Sequence, residues 1–216
     1  MAVTVALTGC SSTGKTTLAL HLKRLLPALI VVHADDYFLP PARCPRVDLA
    51  ALPWPSGKVP QAFAARGNAD YNVPGSLNWE ALHSDVMCAH GSGPGPVLVE
   101  GQLLLSSHSS AERLRGLIDH TVVLAPADDA EAMEKLWQRK WRRAHLGKPS
   151  YKLRGVSADA YAVYWHHYVW QRWLEHGEQR VPGGTLRLEC QQPVEALADA
   201  VRETGWLETQ CRQETG

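Results

Sequence analysis

A glycine-rich segment near the start of the chain has the spacing of a phosphate-binding loop. Residues 9–16 read Gly-Cys-Ser-Ser-Thr-Gly-Lys-Thr and match the pattern G-x-x-x-x-G-K-[ST]. The glycines allow a tight turn in which successive backbone N–H groups converge on phosphate oxygens. We predict that Lys15 reaches the β- and γ-phosphates of ATP and that the Thr16 hydroxyl binds Mg²⁺. The residues predicted to bind ATP here are Gly9, Ser11, Ser12, Thr13, Gly14, Lys15, Thr16 and Thr17.

Two neighbouring acids, Asp35 and Asp36, follow the apolar run at 29–32. Such a run is typical of a strand buried in a parallel sheet, and ligands bind at the carboxyl edge of such sheets. A carboxylate at that edge can accept the proton of an attacking hydroxyl or hold the water shell of a metal ion. Adjacent side chains alternate in direction, so we expect one acid to face the site and the other to be structural.

A third acid, Glu100, ends the apolar run Val97-Leu98-Val99. An acid at the end of a buried strand beside a phosphate-binding loop is suited to position Mg²⁺ through water. The alternative is a strand-end cap with no chemical role. Gly101, the next residue, would allow the backbone to approach the site closely.

Four cations stand at the end of a helix predicted over 128–144, namely Arg139, Lys140, Arg142 and Arg143. One interpretation is a solvated helix end, which the helix dipole favours. The other is a lid, at about 139–156, whose cations close on the transferring phosphoryl group. Four cations in five positions cannot share one helical face, so the lid role applies to one or two of them. We predict a catalytic role for Arg139, acceptor binding by Lys140 and ATP binding by Arg143.

Strands and helices alternate along the chain in a way that would position these residues. Apolar β-branched runs predict strands at 3–7, 29–32, 97–99, 118–124 and 185–189. Helical periodicity predicts helices at 15–26, 79–89, 128–144, 158–176 and 193–204. This alternation predicts an α/β protein with the P-loop NTPase fold, in which helices flank a five-stranded, mostly parallel sheet. We expect residues 1–216 to form a single domain with a long proline-rich insert at about 40–76, and we assign the aromatic residues of 161–173 to packing.

Composition excludes several classes of protein. The 216 residues carry 22 basic and 22 acidic side chains, so their balance gives no electrostatic footprint for duplex nucleic acid. Five scattered cysteines without a C-x-x-C pair argue against a disulfide framework or a zinc knuckle. The sequence has the pattern of neither a secretory leader nor an apolar membrane-spanning segment. We therefore expect a cytoplasmic protein without nucleic-acid or membrane partners.

The phosphate-binding loop by itself does not define a reaction. The sequence lacks an [NT]-K-x-D guanine-recognition motif and an L-S-G-G-Q transporter signature, and it is too short for a ring ATPase or helicase. Small kinases remain, in which elements outside the loop hold the second substrate. A regulator that binds ATP without turning it over is the alternative from a different class.

Three further segments extend the pattern. The chain reads His-Ala-Asp-Asp-Tyr-Phe-Leu-Pro at 33–40, Asp-Tyr-Asn-Val-Pro-Gly-Ser-Leu-Asn-Trp at 70–79 and Val-Glu-Gly at 99–101. In content and order these segments, together with the loop at 9–16, resemble the nicotinamide riboside kinases and the related uridine kinases. The resemblance spans about residues 3–200. It implies a cytoplasmic enzyme of NAD biosynthesis that uses ATP and Mg²⁺ to phosphorylate a nucleoside hydroxyl.

The resemblance also implies roles for particular residues. Asp35 corresponds to the base for the ribose 5′-hydroxyl, Glu100 to the acid that positions Mg²⁺, and Phe38 and Tyr71 to the aromatic pair that clamps the nicotinamide ring. Asn72 stands where the family generally has an aspartate that binds the ribose hydroxyls.

The sequence departs from the family in three places. The first is Asn72, which stands in place of the aspartate that binds ribose in the family, although the neighbouring Asp70 could take over that role. The lid reads Gly-Lys-Pro-Ser-Tyr at 147–151, and the insert extends over about 42–67. Nicotinamide riboside is therefore the predicted acceptor, while uridine, cytidine or another small alcohol remain open.

Overall fold

The computed structural model describes residues 2–64, 68–146, 156–176 and 184–207. Five parallel strands form one sheet in the order β2-β3-β1-β4-β5. The strands are β1 Thr4–Gly9, β2 Ile30–His33, β3 Val97–Gly101, β4 His120–Ala125 and β5 Thr185–Glu189. The predicted α/β class and five-stranded sheet are confirmed. The strand predicted at 118–124 begins two residues later, at His120, where pairing with Val5 of β1 starts.

Helices connect and cover these strands. They are α1 Lys15–Leu25, α2 Gln61–Ala64, α3 Trp79–Gly91, α4 Glu112–Arg115, α5 Ala130–Leu146, α6 Ala158–Tyr164, α7 Trp170–His176 and α8 Val194–Glu203. Short 3₁₀ turns occur at Ala34–Tyr37, Pro74–Ser76 and Ser109–Ala111. In the described residues no helix is both long enough and apolar enough to cross a membrane.

Three predicted helices differ in detail from those observed. The helix predicted at 128–144 begins at Ala130 because the Asp129 carboxylate accepts a hydrogen bond from the Ala132 N–H and so caps it. The helix predicted over 158–176 contains a π-helical turn at Trp165–Val169, which separates α6 from α7. Pro193, predicted as the first helical residue of α8, has extended dihedral angles and precedes the helix.

The central strands are buried because helices cover both faces of the sheet. Alternate β1 residues point to opposite faces, so Val5 and Leu7 pack in one cluster with α1 and α8, whereas Ala6 packs in the other with α3. Continuous apolar runs are required where both faces are covered. This packing holds the carboxyl edge of the sheet in place. The phosphate-binding loop, Asp35 and Glu100 lie at that edge.

The long insert forms a third apolar cluster. Its members Val47, Leu49, Trp54 and Phe63 are buried against residues of α5 and α6 such as Tyr161. The insert shows little periodicity in the sequence, yet its apolar residues make a small core with the helices around the predicted lid. Residues 147–155 of that lid lie outside the described residues.

Candidate active site

The glycine-rich loop joins β1 to α1 in a conformation that only particular residues permit. Gly9 has φ +151°, and a Cβ atom there would lie 2.3 Å from the backbone oxygen of Leu124 on β4. Any side chain would push the loop away from the sheet. Gly14 and Ser12 also have positive φ, at +99° and +72°. The loop therefore curls over the carboxyl end of β1, as the motif predicts.

Lys15 holds the loop from inside. Its Nζ donates hydrogen bonds to the backbone oxygens of Gly9 at 2.9 Å and Cys10 at 3.0 Å. Only 9% of the residue is exposed, and this burial lowers the pKa of the ammonium group, while the charges of Glu100 and Asp35 oppose the shift. A buried cation beside two acids is placed to bind an anion, and phosphate oxygens are the anions that this motif predicts.

The hydroxyl groups of the loop differ in whether they have a hydrogen-bond partner. Thr13 Oγ1 donates to the backbone oxygen of Cys10 at 2.9 Å. Ser12 Oγ is buried and has no hydrogen-bond partner among the described residues. A buried polar atom without a partner is costly, and a phosphate oxygen in the loop would supply one. Thr17, the last of the predicted ATP-binding residues, is exposed in the first turn of α1.

Glu100 connects the loop to β2. Its Oε1 accepts a hydrogen bond from Thr16 Oγ1 at 3.0 Å and lies 2.7 Å from His33 Nδ1. Glu100 is 3% exposed. His33 and Glu100 lie directly opposite each other in the parallel ladder. His33 has no role predicted from the sequence, because only strand pairing places it beside Glu100.

Thr16 and Glu100 fit a magnesium ion by the chemistry of their atoms. Hydroxyl and carboxylate oxygens are ligands that Mg²⁺ prefers, and this ion commonly takes its remaining ligands from water and substrate phosphates. No group of three or more His, Cys, Asp or Glu side chains in the described residues could hold a metal. Thr16 and Glu100 would therefore supply protein oxygens for such an ion.

The structure separates the two acids of the Asp35–Asp36 pair. Asp35 lies close enough to Lys15 for their charges to interact, whereas Asp36 acts on Tyr37. Loss of hydration raises the pKa of Asp35, and the cations Lys15 and Arg143 oppose the shift. Of the two acids, Asp35 is thus the one whose charge is coupled to Lys15 of the phosphate-binding loop.

The cations of α5 do not act as one group. Lys140 Nζ donates to Ser11 Oγ at 2.6 Å and lies 5.9 Å from the centroid of the Trp165 ring. Arg139 instead donates to the backbone oxygen of Cys190, just after β5, at 2.8 Å. The structure therefore puts Lys140, predicted for the acceptor, on the phosphate-binding loop, and puts Arg139, predicted to be catalytic, on the backbone at the end of β5.

The other two cations of α5 are Arg142 and Arg143. Both side chains are exposed. The charge of Arg143 acts on both Lys15 and Asp35. Its predicted contact with ATP and the catalytic role of Arg139 stay predictions.

Lys140 should make nucleotide binding sensitive to pH. Burial lowers its pKa to about 8, and Lys15 and Arg143 act in the same direction. As pH rises through that value the ammonium group loses its proton, so its attraction for phosphate is lost. We expect kcat/KM for ATP of the wild type to fall across this range, and Lys140→Arg, which keeps its charge, to fall less. Equal pH profiles for the two proteins would contradict a role for this charge.

The aromatic pair predicted to clamp the acceptor is brought together. The Phe38 and Tyr71 ring centroids lie 5.3 Å apart with an 83° angle between planes, which is an edge-to-face contact. Gln102, which the sequence did not single out, donates from Nε2 to the Tyr71 backbone oxygen at 3.0 Å. The two rings touch each other, so a substrate ring between them would require the side chains to separate.

A buried hydrogen-bond network lies beside Tyr71. Asp70 is 4% exposed. Its Oδ2 accepts a short hydrogen bond from Tyr168 OH, in the π-helical turn, and its Oδ1 accepts one from the Asn72 backbone N–H at 2.9 Å. Asn72 Nδ2 is 3.4 Å from the same Oδ1 and 3.3 Å from Tyr164 OH. Asp70 is therefore engaged within the protein, and of the two candidates for ribose only Asn72 keeps its side-chain oxygen outside these bonds.

Removing the Tyr168 hydroxyl should destabilise the protein and disturb this segment. Tyr168→Phe leaves a buried carboxylate short of a donor, so we expect a loss of about 1–3 kcal/mol in the free energy of unfolding. Tyr37→Phe is a matched control because Tyr37 OH donates to Asp85 at an exposed site, at 2.6 Å; we expect it to change stability by no more than about 0.5 kcal/mol. Chemical denaturation measures both, and equal losses would contradict the role given to burial.

Known proteins resemble this chain in structure rather than in sequence. No protein-family model and no curated protein matches the sequence. A sugar kinase from Janibacter sp. HTCC2649 is similar in structure, with a TM-score of 0.56 and 18% identity over 96% of this chain and 95% of that one. A gluconokinase from Sinorhizobium meliloti 1021 gives a TM-score of 0.52 and 12% identity over 96% and 97%. A tunicamycin resistance protein from Deinococcus radiodurans gives 0.52 and 15% over 95% and 96%.

The chain has the P-loop kinase fold. Nearly the whole length of each neighbour aligns, so the likeness includes the insert as well as the sheet. At these identities the likeness is one of fold, and the three names do not mention a nucleoside.

Proposed function

We propose that this protein is an ATP- and Mg²⁺-dependent kinase that transfers the γ-phosphoryl group to a hydroxyl of a small molecule. The observation that supports the proposal is that the Thr16–Glu100 hydrogen bond lies at the carboxyl edge of the sheet, where the charge of Lys15 acts on Asp35 and is itself influenced by Glu100. In-line phosphoryl transfer needs this combination of a phosphate cradle, a metal position and a group that orients the acceptor.

Each group has a distinct task. The loop N–H groups and Lys15 bind the phosphates, and Lys140 adds a second cation beside Ser11. Bound Mg²⁺, held through Thr16 and Glu100, would neutralise charge on the phosphates. Asp35 orients the acceptor hydroxyl and takes up its proton. The raised pKa of Asp35 suits a group that must hold a proton during the reaction.

The alternative is a regulator that binds ATP without turnover. A carboxylate such as Asp35 repels the phosphates, so a protein that only binds ATP gains nothing from it. This contrast favours a kinase. An assay of ATP consumption across a panel of nucleosides, sugars and sugar acids separates the two. ATP binding with no consumption on any acceptor would favour the regulator.

For the acceptor we propose nicotinamide riboside. A positively charged pyridinium ring gains cation–π energy from Phe38 and Tyr71 in addition to stacking, whereas uracil gains stacking only and needs hydrogen-bond partners. Asn72 Oδ1 could accept a bond from a ribose hydroxyl, which fits any of these ribonucleosides. The resemblance of residues 33–40 and 70–79 includes the uridine kinases as well, so the aromatic pair is what favours nicotinamide riboside.

Tyr71 provides the test of this acceptor. We expect Tyr71→Ala to raise KM for nicotinamide riboside at least several-fold, consistent with the loss of about 1 kcal/mol or more of ring contact. Tyr71→Phe keeps the ring and should stay near wild type. Steady-state kinetics with nicotinamide riboside, uridine and cytidine measures both variants. Rapid phosphorylation of uridine with none of nicotinamide riboside would reject this acceptor and leave the kinase proposal standing.

A further inference from the structure

A separate cavity lies beside the segment that carries Phe38. Its volume is about 430 Å³, a size typical of small-molecule sites. It is formed by residues 39–43, the start of α3 and the turn before α4. Lys15, Asp35, Phe38 and Tyr71 do not line it. The cavity is thus distinct from the candidate active site.

The charges in this cavity are not balanced. Arg43 and Arg113, from distant parts of the sequence, both line it. Neither guanidinium has an ion pair or hydrogen bond within the described ranges, and both side chains are exposed. Glu80 is the acid in the lining, so two guanidinium groups face one carboxylate. A cavity with excess positive charge concentrates anions.

Neutral groups complete a site for an anion. The Ser109 and Ser110 hydroxyls line the cavity, as does Asn78, whose Oδ1 already accepts a bond from the Ala81 N–H at 3.2 Å. The Asn78 amide N–H groups are therefore the part of that side chain suited to a ligand. Leu39 and Leu77 add an apolar wall. Guanidinium groups bind phosphate and carboxylate through paired N–H bonds.

We propose that this cavity binds a small organic anion, a phosphomonoester or a carboxylate with an apolar body, between Arg43 and Arg113. One structural element, a β-bridge, connects this cavity to the proposed acceptor site. Phe38 and Leu77 form a β-bridge, flanked by bonds from Leu39 N to Ser76 O at 2.8 Å and from Asn78 N to Tyr37 O at 2.9 Å. A bound anion therefore contacts the bridge that presents Phe38 to Tyr71.

Amide NMR of the full chain tests the proposal with inorganic phosphate and phenyl phosphate as probes, and with MgADP saturating the P-loop. We expect the Leu77, Asn78, Ser109 and Ser110 amides to shift, and phenyl phosphate to bind more tightly than phosphate. Arg43→Gln/Arg113→Gln should weaken binding at least about tenfold. The control Arg24→Gln/Arg202→Gln, which removes two charges at the ends of α1 and α8, should have little effect.

A further variant and a further probe test the same proposal. Glu80→Gln removes the opposing carboxylate and should tighten phosphate binding by about two- to fivefold. Benzoate in place of phenyl phosphate shows which anion the site prefers. Unshifted amides at this cavity, equal affinity in the double variant, or displacement of phenyl phosphate by the kinase acceptor would overturn the proposal. The readout is binding, so loss of the proposed kinase activity would not affect it.

Discussion

Replacing Lys15 by alanine is expected to abolish phosphoryl transfer and leave a folded protein. The ammonium group holds the loop through Gly9 and Cys10, and in the proposed function it binds the β- and γ-phosphates. Losing a cation that stabilises transition-state charge costs about 10²-fold or more in kcat. The fold should survive, because Lys15 is a buried cation whose pKa is lowered by lost hydration, so its removal also relieves a desolvation cost. Initial rates, nucleotide binding and thermal unfolding measure these effects.

Lys23 offers a matched control on the same helix. Its Nζ also donates to two backbone oxygens, those of Pro27 at 2.9 Å and Leu29 at 2.6 Å, but at the other end of α1. Lys23→Ala removes an equal charge and an equal number of bonds, and we expect full activity. A well-folded Lys15→Ala protein with wild-type turnover would overturn the assignment of the loop.

Replacing Asp35 by asparagine is expected to lower kcat by about 10²-fold or more, with ATP binding largely kept. Asparagine has nearly the same shape but cannot take up the acceptor proton. Asp36→Asn is the control, because the charge of Asp36 acts on Tyr37, whereas Asp35 is the member of the pair among the main charges acting on Lys15. Steady-state rates together with nucleotide binding by calorimetry separate turnover from affinity. A large loss in Asp36→Asn and none in Asp35→Asn would show that the other acid of the pair is the base.

The pH profile adds a second readout for Asp35. Its pKa is raised, so as pH falls the carboxylate gains a proton at a higher pH than an ordinary aspartate does. We expect kcat/KM for the acceptor to decline on the acid side above the usual aspartate range. That decline should be absent from the residual activity of Asp35→Asn. An unchanged acid limb would assign it to another group.

The sequence by itself determined the features that depend on local spacing. The glycine-rich loop, the strand before it and the helix after it are contiguous, so residues 4–25 carry all the information needed to predict them. The same holds for β3 and β4, whose largely apolar runs are required by burial on both faces of the sheet. The position of Asp35 and Glu100 at the carboxyl edge followed from the apolar runs before them.

Only the tertiary structure decided which side chains meet. Strand pairing places His33 opposite Glu100, and packing of α5 sends Lys140 to Ser11 while Arg139 reaches Cys190. These pairs are separated by tens of residues, and no periodicity relates them. The sequence predicted separate roles for Arg139, Lys140 and Arg143 without the direction of each side chain, and the structure places Lys140, predicted for the acceptor, at Ser11 of the loop instead.

The insert shows the same limit on a larger scale. Its prolines and weak periodicity indicated a long excursion, but Trp54 and Phe63 bury their rings against residues more than 90 positions away, such as Tyr161 and Tyr164. Likewise, the π-helical turn brings the Tyr168 hydroxyl to the Asp70 carboxylate, a contact that no local pattern predicts. Local sequence determines which residues are apolar or able to hydrogen-bond. Which of them become partners is decided by the packing of the whole chain, because burial and hydrogen bonding are satisfied between distant segments.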